Sequence, residues 1–141
     1  MENVVAPWSI EAFKARKIVQ ALPGEIKLQQ LSLSNLGEFV TSVIEKREAV
    51  FGQRFDIAGD QVSGNEMADI LTQATGQTIT YESFPTDELR KFDDDMAAMF
   101  DWLANIGYDV DRQKLHEKFS DVNWINYSTW AASTNWSVLN H

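Results

Sequence analysis

The sequence predicts an α/β fold with a few short, mostly parallel strands and about five to six helices. The first observation is the stretch from Phe51 to Tyr81, which has the order strand, turn, capped helix, glycine stop and strand. The second is that helical apolar patterns dominate the chain after Thr86. The third is that the 141 residues contain no glycine-rich phosphate-binding loop. We therefore expect one domain over residues 1–141 that shapes a pocket without holding the phosphates of a nucleotide.

Composition and charge narrow the class of protein. Hydrophobic residues make up 44% of the chain and aromatic residues 11%, which is typical of a globular domain. The net charge of −9 argues against direct nucleic-acid binding, because such a surface must attract phosphates. The chain has no cysteine, which excludes disulfides and thiolate nucleophiles. Because the sequence has neither a secretory pattern nor a long apolar run, we expect a cytoplasmic protein that does not enter a membrane.

The first fifty residues predict a helix, a strand and a second helix. Trp8–Val19 carries apolar residues at helical spacing, and Pro23-Gly24 then breaks the chain. Leu28–Leu33 alternates like a strand, with a slip in phase that a bulge or a start at Leu28 would explain. Ser34 is a plausible N-cap for the next helix. The apolar stripe of that helix consists of Leu36, Phe39, Val40, Val43 and Ile44.

The central stretch predicts a strand, a helix and another strand. Gln53–Ala58 alternates and is predicted to be a strand. Ser63 and Glu66 have the spacing of a capping box at the start of a helix. Gly76 is predicted to end this helix in a left-handed conformation, and Thr78–Glu82 follows as a strand. The buried stripe of the helix is expected to be Met67, Ile70, Leu71 and Ala74.

The remaining residues predict three helices and an aromatic tail. Thr86 or Asp87 can begin the first helix, Asp93–Asp95 the second and Asp111 the third, and Gly107 can end the second. We expect the inward side of the second helix to carry Met96, Met99, Phe100, Leu103 and Ile106, and that of the third Leu115 and Phe119. The tail is too aromatic for a solvated linker, since it contains Trp124, Tyr127, Trp130 and Trp136.

Residues that could carry chemistry each have a structural alternative that we prefer. Asp93–Asp95 could bind a metal, but consecutive helical residues diverge by about 100°, which favours capping. Asp109 and Asp111 could bind magnesium, but a helix cap at Asp111 is simpler. His116 is expected to face solvent, and the terminal His141 supports no role.

The face that carries Met96, Met99, Phe100 and Trp102 leaves two interpretations open. The preferred one is that these side chains belong to the core. The alternative is that part of this face lines an apolar ligand cavity, where methionine adapts readily to different shapes.

Signatures of known enzyme mechanisms are missing. No tyrosine is followed four positions later by a lysine, so the pair used by short-chain dehydrogenases is absent. The sequence contains no Gly-x-Ser-x-Gly elbow. The turn before the helix at Gly64 could hold an anion, but Ser63 and Glu66 are expected to occupy its amide donors. We assign no catalytic residue and no metal ligand.

A series of short motifs occurs in a fixed order along the chain. They are Met1-Glu2-Asn3, Leu28–Leu33 before Asn35-Leu36-Gly37, Gly52-Gln53-Arg54, Asp56-Ile57-Ala58-Gly59-Asp60, Ser63-Gly64-Asn65-Glu66-Met67-Ala68, Gly76 with Ile79-Thr80-Tyr81-Glu82, Met99-Phe100-Asp101-Trp102 and Gly107-Tyr108-Asp109-Val110-Asp111. In this order they resemble the C-terminal half of the NmrA-like family, atypical members of the short-chain dehydrogenase superfamily. The resemblance covers nearly the whole chain.

The resemblance implies a site and a cofactor for complete family members. Met1, Glu2 and Asn3 match the end of a family Phe-Met-Glu-Asn segment that lies beside the nicotinamide, so these three are the predicted cofactor-proximal residues. The chain thus resembles a family member that starts at this internal methionine. Asn35 stands where many members have the aspartate of an Asp-Ile-Gly motif. NAD or NADP is implied for a complete member, while we expect this chain alone to bind no cofactor.

The resemblance also implies a strand arrangement and a place in the family fold. This half would be the substrate-side lobe of a Rossmann-type protein. Gln53–Ala58 would join the main parallel sheet, and Leu28–Leu33 would pair with Thr78–Glu82. Complete members act as redox-sensing regulators or as quinone-type and other oxidoreductases.

Three hypotheses follow. The chain is a substrate-lobe fragment without catalysis of its own; it self-associates as an interaction module through the exposed edge at Gln53–Ala58; or it forms half of a split NAD(P)H-dependent reductase with a complementary Rossmann half.

Overall fold

The computed structural model describes residues 1–140, apart from the side chains of Val138 and Asn140, so His141 lies outside the described residues. The α-helices are α1 (Ile10–Lys14), α2 (Leu33–Glu45), α3 (Arg47–Val50), α4 (Gly64–Thr75), α5 (Thr86–Arg90), α6 (Asp94–Asn105), α7 (Arg112–Lys118) and α8 (Tyr127–Ser133). The strands are β1 (Lys17–Gln20), β2 (Lys27–Gln30), β3 (Asp60–Ser63) and β4 (Thr80–Ser83), and short 3-10 helices span Glu2–Val5 and Ser137–Asn140. This is the predicted α/β class, with five helices of seven residues or more and three shorter ones.

The four strands form two small sheets. β1 pairs with β4 in parallel, with Ile18 opposite Tyr81. β2 pairs with β3 in antiparallel orientation, with Leu28 opposite Val62. The predicted pairing of Leu28–Leu33 with Thr78–Glu82 is therefore wrong. The strand that pairs with β4 is β1. The sequence predicts a helix for most of its residues, because they belong to the helical pattern of Trp8–Val19.

The first helix is shorter than predicted. Instead of continuing from Trp8 to Val19, α1 ends at Lys14, and Arg16 adopts a left-handed backbone with φ of 63°. This residue reverses the chain, and β1 begins directly after it. The β-branched pair Ile18 and Val19 suits a strand better than a helix, and β4 supplies the partner that makes the strand.

The predicted strand at Gln53–Ala58 is also wrong. Residues 53–58 form no ladder, and β3 begins at Asp60, after Gly59. Phe55 and Ile57 do lie against the core, so the alternation reports burial correctly. The backbone of this segment finds no strand partner within residues 1–140.

Local helix signals give correct boundaries at α4. Ser63 Oγ accepts from the Glu66 amide at 3.2 Å, and the Glu66 carboxylate accepts from the Ser63 amide at 2.7 Å. This capping box was predicted, as was Gly76, which ends the helix with φ of 68°. Met67 and Leu71 are buried, as expected.

The N-cap of α2 is Ser32 rather than Ser34. The Ser32 hydroxyl accepts from the amide of Asn35, and Asn35 is fully buried. The Asn35 amide group donates to the Asn123 carbonyl at 2.8 Å and accepts from the Ile125 amide at 2.9 Å. Asn35 therefore ties α2 to the loop that precedes α8.

Two hydrophobic clusters form the core. The larger one joins the first residues of the chain to α1, β1, α4 and α8, and it contains Phe13, Leu71 and Tyr127. The smaller one joins α2 to α7 around Phe39, Leu115 and Phe119. The tail aromatics pack as predicted, since Tyr127 and Trp130 belong to the larger cluster and Trp124 and Trp136 contact the clusters from their edges. Within residues 1–140 no helix is long and apolar enough to cross a bilayer.

Candidate functional site

An apolar cleft opens between α1, β1 and α6. Its volume is about 490 Å³. α1 contributes Phe13, which is buried, and β1 contributes Val19, which is 42% exposed. The first residues of the chain add Asn3 and Trp8, both exposed at the cleft. These side chains form the wall opposite α6.

α6 supplies the other wall with two flexible side chains and an aromatic ring. Met96 and Met99 are 44% and 46% exposed, and Phe100 is half-buried beside them. The buried side of α6 instead carries Ala97 and Leu103. The prediction that Met96, Met99 and Ile106 point into the core is therefore wrong. The alternative interpretation, an apolar cavity on this face, describes Met96, Met99 and Phe100 correctly, whereas Trp102 lies away from this cleft and packs on Tyr108.

The walls of the cleft are fixed by local structure. Asp93 Oδ1 accepts from the Met96 amide at 2.9 Å and caps α6, as predicted. Gly107 follows the helix with φ of 68°, which suits a glycine stop. α5 packs along α6, and Arg90 joins the two helices through Asp94 at 2.7 Å and through Asp101. The contacts with α5 therefore hold α6 in place, with its methionines facing the cleft.

Polar groups in the cleft are few. Asn3, Ser9 and Gln20 lie along it, and Lys17 is the cation of the lining, paired with Glu82 at 2.7 Å. A site with an apolar lining and a few polar groups suits a small, flat and largely uncharged ligand. A single lysine already engaged with a carboxylate is poorly suited to a pyrophosphate.

The three predicted cofactor-proximal residues separate in the structure. Met1 is buried in the larger core cluster, and its amino group donates to the Leu31 carbonyl at 2.7 Å. Glu2 accepts from the Leu33 amide at 3.1 Å and from the Trp130 indole N–H at 3.0 Å. Of the three, Asn3 is the residue that lines the cleft.

Helix N-termini are where a dinucleotide phosphate would bind, because their amides are free donors. Within residues 1–140, each helix of seven residues or more carries a side-chain cap. The caps are Ser32 on α2, Ser63 on α4, Asp93 on α6, Asp111 on α7 and Asn126 on α8. Two of these caps are carboxylates, and Glu2 and Glu66 add carboxylates at α2 and α4. The described residues therefore do not fit the phosphates of NAD or NADP.

Gly64 does not make room for a phosphate. A Cβ placed there would lie 2.7 Å from Cδ2 of Tyr81 and closer still to two other atoms of that ring. The glycine therefore makes room for the ring. The Tyr81 hydroxyl donates to the Leu22 carbonyl at 2.7 Å, and burial raises the pKa of Tyr81 to about 12.

Tyr127 is more deeply buried than Tyr81. Its ring is fully buried, and burial raises the pKa of its hydroxyl, with the carboxylate of Glu2 adding to the effect. A phenol that stays protonated throughout the neutral range is a poor general base. Tyr81 and Tyr127 are thus structural residues.

The prediction that His116 faces solvent is wrong. His116 does not face solvent, because its ring stacks on Trp124 with centroids 4.4 Å apart. Its Nε2 lies 2.9 Å from the Ala58 carbonyl oxygen. The residue joins α7 to the segment before β3. Asp111, as predicted, caps α7 by accepting from the Lys114 amide at 3.1 Å.

Comparison with known protein families identifies the family of this chain. The model of the NmrA-like family matches residues 2–132. The chain belongs to the NmrA-like family. No curated protein sequence matches it significantly.

Solved structures of this family fold are about twice as long as the chain. A nucleoside-diphosphate-sugar epimerase from Staphylococcus aureus superposes with a TM-score of 0.71 at 17% identity, covering 93% of this chain and 48% of its own. A mutant NmrA superposes with a TM-score of 0.59 at 12% identity, covering 84% of this chain and 42% of its own. At these identities the similarity establishes the fold.

Residues that the sequence did not single out complete the cleft. Trp8, Val19 and Phe84 line it, although they lie far apart in the sequence. Predicting that they meet would have required recognising β1 as a strand. Once Lys17–Gln20 is a strand beside β4, its residues reach the face that α1 and α6 flank.

Proposed function

We propose that the chain forms the substrate-side part of an NmrA-like protein that works with NAD or NADP, as an oxidoreductase or a redox-responsive regulator. The apolar cleft between α1, β1 and α6 receives the substrate. The observation that carries this proposal is the lining of Met96, Met99 and Phe100 opposite Asn3 and Trp8. Family membership supports it, because Met1-Glu2-Asn3 resembles the family segment that lies beside the nicotinamide, and Asn3 lies in the cleft.

The substrate class follows from the lining. Methionine and aromatic walls favour a planar apolar molecule such as a quinone. A sugar nucleotide, the substrate class named for the epimerase neighbour, requires several cations for its diphosphate, and the lining offers Lys17 alone. We therefore propose a quinone-like substrate.

In this proposal, substrate binding and dinucleotide binding belong to two different parts of the protein. Since side-chain caps occupy the N-termini of α2, α4, α6, α7 and α8, the dinucleotide phosphates are held by a Rossmann half outside these residues. Alone, the chain carries out no catalysis. Both similar structures contain about as much chain again as this one contributes to the match, which supports a second half.

Ligand binding tests the cleft directly. We expect a small naphthoquinone such as menadione to quench the fluorescence of Trp8 on titration, because an aromatic ligand in the cleft contacts this residue. Met99→Glu should weaken binding at least tenfold, since it places a charge in the apolar wall. Met99→Leu is the matched control and should bind nearly as well as the unchanged chain. Equal binding by all three proteins, or none by the unchanged chain, contradicts the proposed site.

Self-association is a second candidate function, favoured by the segment Gln53–Ala58. Its side chains alternate like a strand, yet its backbone has no ladder partner within residues 1–140. A second copy could supply one by edge pairing. Sedimentation velocity over a range of concentrations measures this, and a monomer at all concentrations rejects it.

A further inference from the structure

Lys17 is the one charged residue among those of residues 1–140 that line the cleft. The rest of the lining is apolar or neutral, although the whole chain carries 21 acidic residues and a net charge of −9. A cation in an apolar lining attracts an oxygen acceptor of the ligand, because charged donors form stronger hydrogen bonds than neutral ones. The lining therefore favours a ligand that places an oxygen atom beside Lys17.

The pairing of β1 with β4 directs the side chain of Lys17 to the cleft. Successive residues of a strand point to opposite faces, so Lys17 and Val19 share one face of β1, and the buried Ile18 lies on the other. Val19 is opposite Glu82 in the parallel ladder, which puts Glu82 on the same face as Lys17. Lys17 Nζ lies 2.7 Å from Glu82 Oε1. Since Glu82 does not line the cleft, it holds the ammonium from outside the site.

The ion pair with Glu82 leaves hydrogen-bonding capacity on Lys17. An ammonium group has three N–H donors, and the contact at 2.7 Å with one carboxylate oxygen uses one of them. The two side chains are 46% and 48% exposed, and ion pairs of such exposure contribute little to stability. The ammonium can therefore shift toward a ligand at small cost. The remaining polar side chains of the lining, Asn3, Ser9 and Gln20, offer only uncharged donors.

We infer that Lys17 binds a carbonyl oxygen of the substrate and thereby orients the substrate in the cleft. The inference rests on the proposed function and adds the contact that distinguishes a quinone from a hydrocarbon of the same shape. The rings of the ligand contact the apolar wall that includes Met99 and Phe100, while one carbonyl oxygen accepts from the ammonium. Glu82 competes with the ligand for the same donors. Lys17 is thus a specificity-determining residue, and Glu82 limits its availability.

Two ligands of similar shape separate the carbonyl contact from apolar binding. Menadione and 2-methylnaphthalene share their fused rings and methyl group, but only menadione has carbonyl oxygens. Equilibrium dialysis of the isolated chain, with each ligand measured by its absorbance, gives the two dissociation constants. In Lys17→Met the dissociation constant of menadione should rise about tenfold, because a hydrogen bond from a charged donor is lost. That of 2-methylnaphthalene should not rise, since methionine leaves the wall apolar.

Glu82→Gln distinguishes ligand binding by Lys17 from a structural role of the ion pair. Lys17→Met and Glu82→Gln both remove the ion pair, so a structural role would weaken menadione binding in both variants. If Lys17 binds the ligand, Glu82→Gln releases the ammonium, and menadione should bind about two- to fivefold more tightly. Lys17→Arg keeps a charged donor and should stay within about threefold of the unchanged chain. Lys14→Met is the matched control, because Lys14 lies on α1 outside the lining, and it should bind both ligands like the unchanged chain.

The outcomes separate this inference from the proposed function. Weaker menadione binding in Lys17→Met, together with tighter binding in Glu82→Gln, supports the carbonyl contact. The contact is overturned by an equal effect of Lys17→Met on both ligands, by no effect on menadione, by weaker menadione binding in Glu82→Gln, or by a Lys17→Arg chain as weak as Lys17→Met. In those cases menadione still binds the unchanged chain, and the proposed substrate cleft stands. If the unchanged chain does not bind menadione, both the proposed substrate and the role of Lys17 are refuted.

Discussion

Gly64→Ala is the substitution whose cost the structure specifies most closely. The new methyl group would lie 2.7 Å from Cδ2 of Tyr81 and nearer to two other ring atoms, so the ring must move. Overpacking of this kind costs about 1–3 kcal/mol. Movement of the ring also strains the hydrogen bond from the Tyr81 hydroxyl to the Leu22 carbonyl, worth about 1 kcal/mol. Alanine in the first turn of a helix returns about 0.5–1 kcal/mol.

The net expectation is a loss of about 1–3 kcal/mol in the free energy of unfolding, measured by urea denaturation. Gly37→Ala is the matched control and should gain about 0.5–1 kcal/mol, because its Cβ meets nothing. In a Tyr81→Ala background the cost of Gly64→Ala should disappear. The steric explanation is refuted if Gly64→Ala is as stable as the unchanged chain, or if its cost is the same with and without the Tyr81 ring.

Three further substitutions test other contacts by the same denaturation measurement. Asn35→Ala leaves the Ile125 amide and the Asn123 carbonyl, both partly buried, without their partner, so it should lose about 1–3 kcal/mol; a loss below about 1 kcal/mol would show that water replaces the side chain. Trp130→Phe removes the indole N–H that binds Glu2, which is 31% exposed, and should lose about 1 kcal/mol, whereas no loss would mean that the bond adds nothing. The hydrogen bond from the Ser63 amide lowers the pKa of Glu66 below that of a free glutamate, so its contribution to stability is present above the pKa of the unfolded chain and is lost as the pH falls through the lowered pKa. Glu66→Gln should therefore flatten the decline in stability on acidification, and an unchanged slope would contradict this.

Local signals allowed the sequence to predict some elements precisely. The capping box of Ser63 and Glu66 and the stop at Gly76 are contained within one helix, so α4 could be delimited without knowledge of its neighbours. The caps at Asp93 and Asp111 were predicted for the same reason. The α/β class followed from these signals together with the alternating segments between them.

Non-local pairing explains most of the errors. β1 is four residues long, and its partner β4 is more than sixty residues away, so no local pattern marks Lys17–Gln20 as a strand. The segment Gln53–Ala58 has the alternation of a strand, but a strand also requires a neighbour, and none is present within residues 1–140. In this segment the alternation reports which side chains are buried, whereas the ladder depends on the rest of the fold.

The faces of α2 and α6 show a second limit. Leu36, Val40 and Ile44 belong to the predicted apolar stripe of α2 but are exposed, whereas Phe39 of the same stripe faces the core. Likewise Met96 and Met99 line a cleft while Ala97 and Leu103 are buried. When both sides of a helix are apolar, periodicity cannot decide which side the same chain covers. The second side then indicates a ligand or a partner.

The central claim is that this chain does not hold the dinucleotide phosphates. Calorimetric titration of the isolated chain with NADPH tests it most directly. Because side chains occupy the N-termini of α2, α4, α6, α7 and α8, we expect no binding at micromolar concentrations, while menadione still quenches the fluorescence of Trp8. One-to-one NADPH binding with micromolar affinity would contradict the claim that the phosphates are held by another half.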